Sequence, residues 1–84
     1  KGDTEGFVNH GLSIKGISLS VILIENKEDN IIKISFRSKG DFPANIFAEK
    51  YFNGGGHQNA AGGVSKETLV ETKNRLINLL KSYN

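Results

Sequence analysis

At 84 residues the chain has room for one small domain, which buries only about 60–70% of its unfolded surface, so a complete multidomain enzyme is excluded. The absence of Cys, Met and Trp excludes a disulfide scaffold, a Cys-ligated zinc or iron–sulfur centre and a thiol nucleophile, and fits a reducing, cytoplasmic setting. Eleven Lys and Arg against nine Asp and Glu leave a net charge of +2, too little to grip a long duplex, so any nucleic-acid contact is expected to be short.

A start at Lys1 with no Met anywhere reads as an excised piece of a longer protein. Residues 1–16 scatter Phe7, Val8, Leu12 and Ile14 among four glycines without a sustained period, which predicts an irregular lead-in with one helical turn after Asp3 or Thr4. His10 in this stretch reads as a surface or packing residue. From Ile17 the pattern sharpens: Ile17, Leu19 and Val21 alternate with serines, and residues 21–24 form the longest apolar run, far below the ~18 residues of a membrane span. A polar break at residues 27–30 precedes a second alternation of Ile32, Ile34 and Phe36 with Lys33, Ser35 and Arg37. The two runs predict a β-hairpin of residues 17–25 with 31–37.

Asp41-Phe42-Pro43 starts a helix of roughly three turns carrying Ala44, Phe47, Ala48 and Tyr51, ending near Asn53 with Gly54 in the left-handed position beyond it. Ser65 is read as the cap of a second helix with Glu67 in its first turn and Leu69, Leu76, Leu80 and Tyr83 as its apolar stripe. A short strand at residues 62–65 adds to the hairpin. The whole is an α+β domain over residues 1–84: a small mixed β-sheet built on a β-hairpin, packed by two helices on one face, with a Gly-rich loop between the helices.

That loop, residues 54–63, holds five of the ten glycines. Each glycine costs roughly 0.5–1 kcal/mol relative to alanine, and three in succession exceed what a helix end needs. Gly54, Gly55 and Gly56 offer bare backbone N–H groups to an anion, and a helical turn over residues 58–61 would add the dipole of its N-terminus, with His57 at the rim as hydrogen-bond donor or stacking ring. The plain alternative is a flexible surface turn with a bystander histidine. Arg37 and Ser38, closing the second strand, combine a guanidinium fork that holds phosphate bidentately with a hydroxyl donor; the plain alternative there is a solvated strand end. No metal-ligand spacing and no nucleophile with a partnered base is legible, so no catalytic or metal residue is assigned.

The string Ser35-Phe36-Arg37-Ser38, a helix with Ala48 ahead of Tyr51-Phe52, and Gly54-Gly55-Gly56-His57 followed by Ala60-Ala61-Gly62 together resemble the C-terminal DHH-associated domain, subfamily one, of the DHH phosphoesterase superfamily, over about residues 5–80. Within it the chain is most similar to the nanoRNase type, which degrades short oligoribonucleotides and dephosphorylates 3′-phosphoadenosine-5′-phosphate. The resemblance implies a fragment of a two-domain protein. An N-terminal DHH domain, absent here, would carry the manganese ions, and this domain would bind the substrate through Gly54, Gly55, Gly56 and His57, with Arg37 and Ser38 on its phosphate or terminal nucleotide. Asn53 is a departure, since the family often extends the glycine run there. The alternative is a non-catalytic RNA-binding module like the related C-terminal domain of alanyl-tRNA synthetase; His57 favours the enzyme part, because the synthetase version has a glycine run without the histidine.

Overall fold

Two-residue periodicity does build the centre of the molecule. The computed structural model describes residues 6–14 and 17–82, and for Ile14 and Ile17 the backbone alone. Strands β1 (Phe7–Ile14), β2 (Ile17–Asn26) and β3 (Ile31–Lys39) run in succession, followed by helix α1 (Ala44–Tyr51), strands β4 (Gly55–His57) and β5 (Ala60–Ser65), and helix α2 (Leu69–Lys81). The sheet order is β1-β2-β3-β5-β4, and every neighbouring pair is antiparallel. The expected sheet was mixed. β3 and β4 do run in the same direction, joined through α1, but β5 returns between them and converts that parallel relation into two antiparallel pairings.

Register divides the sheet into two faces. Leu19, Val21 and Leu23 of β2 lie opposite Ser38, Phe36 and Ile34 of β3, and these in turn lead to Ala61 and Gly63 of β5. This face is buried: Val21, Leu23 and Phe36 expose nothing, and Ile32 and Ile34 almost nothing. Both helices cover it. α1 contributes Ala44, Phe47 and Ala48, α2 contributes Leu76 and Leu80, and all belong to one apolar cluster. Phe36, Phe47 and Phe52 meet there with ring centroids 5.7–6.0 Å apart, the Phe36–Phe47 pair edge to face. Arg75 lies over the outer side of Phe52, 4.5 Å from the ring centroid, with its Nε 3.1 Å from Glu67 Oε1.

Three local expectations are corrected. The predicted irregular lead-in is instead strand β1 from Phe7 onward, with Val8 and Leu12 packed against the core; the helical turn expected after Asp3 or Thr4 falls outside the described residues. His10 and Gly11 interrupt the alternation in the sequence, and pairing with the strongly patterned β2 overrides that weak local preference. The left-handed residue after α1 is Asn53, at φ 50°, not Gly54; the N–H groups of Phe52 and Gly54 both donate to the Ala48 carbonyl, at 2.9 and 3.0 Å. The cap of α2 is Thr68 rather than Ser65. Thr68 and Glu71 form a reciprocal capping box, while Ser65 ends β5 opposite Ile32 with its buried hydroxyl 2.7 Å from Thr72 Oγ1. Tyr83, expected on the α2 stripe, is likewise outside the described residues. Among the described residues no helix is long and apolar enough to cross a membrane.

Candidate functional site

The face left open by the helices carries the other half of each alternation. On β2 it presents Ser18, Ser20, Ile22 and Ile24, on β3 Lys33, Ser35, Arg37 and Lys39, and on β5 Ala60, Gly62 and Val64. Arg37 lies opposite Ser20 on one side and Ala60 on the other, and Ala60 lies opposite His57. Arg37, Ala60 and His57 therefore form one row, with the two basic residues two strand spacings, roughly 9–10 Å, apart across the smallest chiral side chain. Arg37 and His57 are both exposed. The neighbouring row is Ser35, Gly62 and Gly55. The structure thus brings together two segments that lie about 20 residues apart in the chain.

The glycine run is not a loop leading into a helix. Gly55, Gly56 and His57 are strand β4, Gln58 and Asn59 make a two-residue turn, and Ala60 begins β5, so the helical turn considered for residues 58–61, and with it a helix dipole aimed at an anion, is absent. Two of the three glycines are required by the fold. A Cβ on Gly54 would overlap the Gly62 carbonyl oxygen, and Gly56 sits at φ 140° with a Cβ position 2.7 Å from the Ala60 oxygen. Gly55 has no such constraint: its Cβ position meets only the Glu49 side chain, at ordinary contact distances of 3.7 and 3.8 Å. Gly62, its cross-strand partner, is similarly tolerant, with the Ile34 oxygen at 3.4 Å. The fold does not explain why this pair is bare.

Ser38 points the other way from Arg37. It is 7% exposed, and its hydroxyl donates to the Phe42 carbonyl at 3.0 Å, has the Gln58 carbonyl at 3.3 Å as a second acceptor, and accepts from Asn59 Nδ2 at 2.9 Å. The Ser38 N–H donates to the Asn59 carbonyl at 3.0 Å, and Asn59 Nδ2 also reaches the Gly40 carbonyl at 3.3 Å. Ser38 and Asn59 together clasp the end of β3 to the β4–β5 turn, which fixes the spacing between Arg37 and His57. Sequence reasoning did not single out Asn59; its position in the turn of a glycine-flanked hairpin was the available signal.

An open groove of about 630 Å³ lies beside Arg37 at the same end of the sheet, where β1, β2, the end of β3 and the β4–β5 turn meet, with Ser13, Ser18, Ser20, Arg37, Lys39 and Asn59 among the residues around it. A second depression, about 270 Å³, lies at the opposite end among Glu25, Lys27, Lys66 and Glu67, where opposite charges are mixed. His10, on the far edge strand β1, is not brought near His57. Among the described residues no three His, Asp or Glu side chains gather into a potential metal site.

This arrangement can be set beside known proteins. The chain is 33% identical over 72 residues to the cyclic-di-AMP phosphodiesterase PdeA of Listeria monocytogenes serotype 1/2a (strain 10403S), a match that covers 86% of this chain and 11% of that protein. The chain thus spans only about a ninth of the length of this relative. No solved structure matches. The DHHA1 domain matches across residues 1–84, and the chain belongs to the DHHA1 domain family.

Proposed function

We propose that this chain is the substrate-binding accessory domain of a DHH-family phosphoesterase, and that it holds short phosphate-linked nucleotides on the open face of its sheet. The carrying observation is the row in which Arg37 and His57 flank Ala60, next to the bare Gly55–Gly62 pair. A guanidinium fork and an imidazole that stand about two strands apart suit a phosphate at one side and a nucleoside over the small residues between them. Family membership and the printed activity of the Listeria relative support the phosphoesterase setting. The resemblance favours oligoribonucleotides or 3′-phosphoadenosine-5′-phosphate as substrates, and the relative is named for a cyclic dinucleotide; all share a ribonucleoside phosphate that this row would recognise. The described residues make no site that fits the manganese implied by the resemblance. The ions and the hydrolytic step are assigned to an N-terminal DHH domain of the same chain in a cytoplasmic protein.

The test is hydrolysis of 5′-phosphorylated diadenylate and cyclic-di-AMP by the full-length protein with manganese. Arg37→Ala and His57→Asn should each lower kcat/KM about tenfold or more, mainly through KM, because removing a charge-assisted hydrogen bond to phosphate weakens binding by about 1.5–3 kcal/mol. Values within about twofold of wild type for both variants would remove the row from substrate binding.

A further inference from the structure

We infer that the groove beside Arg37 is a second phosphate subsite, in which Lys39 receives the next phosphate of a bound single strand. This rests on the reading of Arg37 and His57 given above and extends it in one direction, away from the glycine hairpin. Arg37 and Lys39 stand two residues apart on β3, on the same face, which separates their Cα atoms by about 6.6 Å. That spacing matches the reach between successive phosphates of an extended chain, and the two side chains line one groove.

The groove's lining is selective in charge. It contains two cations, the hydroxyls of Ser13, Ser18 and Ser20 and the Asn59 amide, and no carboxylate. The Arg37 guanidinium donates to the Phe36 carbonyl at 2.9 Å, which leaves most of its fork free, and among the described residues neither Arg37 nor Lys39 pairs with an acid. Two unpaired cations on a rigid strand repel one another and gain from an anion that bridges them. The acidic side chains Glu25, Glu28 and Asp29 lie at the opposite end of the β2–β3 hairpin, and Asp41, two residues beyond Lys39, is not part of the groove's lining. Lys39, a compact point charge on a flexible stem, suits a strand phosphate whose position varies with substrate, whereas Arg37 suits the fixed one.

The experiment is calorimetric titration of the full-length protein, with divalent metal withheld to prevent turnover, using AMP and 5′-phosphorylated diadenylate at several salt concentrations. Lys39→Ala should leave AMP affinity unchanged and weaken the dinucleotide about five- to tenfold, and the slope of log affinity against log salt for the dinucleotide should become shallower by about 0.7, the value for one phosphate of a single strand. Lys39→Arg should restore both. Equal weakening of AMP and dinucleotide would overturn the second subsite by placing Lys39 at the first phosphate, and so would dinucleotide affinity unchanged in Lys39→Ala while Arg37→Ala weakens both ligands; in each case the Arg37–His57 reading survives. If Arg37→Ala leaves both ligands unaffected, that reading falls and the subsite falls with it.

Discussion

Arg37 and Ser38 are adjacent in the chain and opposite in place. Strand alternation sends the guanidinium to the open face and the hydroxyl into the clasp between β3 and the β4–β5 turn. An Arg-Ser pair at a strand end offers three phosphate donors by composition, but the strand's period of two leaves only the guanidinium on the open face. The geometry separates the two contributions in a way that can be measured. Ser38→Ala removes a buried hydroxyl bonded to Phe42 and Asn59, so it should destabilise the domain by about 1–2 kcal/mol, seen as a drop in Tm of roughly 4–16 °C for a domain this small. Substrate affinity should fall only as far as the turn loosens. A Tm equal to wild type together with a tenfold or larger loss of affinity would return the hydroxyl to the ligand.

Among the elements, the β4–β5 hairpin is where sequence and structure part most. The strand expected at residues 62–65 is present as the later part of β5, but the glycines carry no alternating pattern, so nothing local announces β4; the hairpin is fixed by the pairing of β5 with β3, from Ile32 opposite Ser65 to Arg37 opposite Ala60. The β2–β3 hairpin, by contrast, was legible because Ile32, Ile34 and Phe36 alternate with polar residues, and the α2 cap was present in the sequence as Thr68-x-x-Glu71 but was read three residues early. The hairpin also yields a test of what its bare floor is for. Gly54, Gly56 and Gly63 are held by close approach of other atoms, the last by Phe52 at 2.8 Å, whereas Gly62 has room for a methyl group. Gly62→Ala should therefore keep stability or raise it by about 0.4–1 kcal/mol, through a less flexible unfolded chain. On the proposed reading the same methyl stands on the open face beside Gly55 and should weaken nucleotide binding about fivefold or more. Gain of stability with unchanged affinity in a paired melt and titration would show that the floor is not where the ligand lies.

Taken as a whole, the molecule is a sheet with one face closed by helices and the other presenting polar residues around the C-terminal end of its central strand β3. The closed face was readable in advance because burial demands a continuous apolar row, whereas the open face was not, since the function of an exposed residue depends on which strands lie beside it, and the β5 residues beside Arg37 and Ser35 are more than 20 residues away in the chain. The same division sets what the 84 residues can do by themselves. On the proposed reading Arg37, Lys39 and His57 hold about one to three phosphates, but water must be activated and charge stabilised in phosphoryl transfer, and no three ligating side chains among the described residues meet to hold an ion for that purpose. The isolated chain, with circular dichroism confirming that it is folded, should bind 5′-phosphorylated diadenylate weakly, with a salt slope between about −0.7 and −2. It should release no mononucleotide with or without manganese. Turnover above a protein-free control would place catalytic groups within these residues, and a slope much steeper than −2 would mean that the strand tracks well beyond the Arg37–Lys39 end of the sheet.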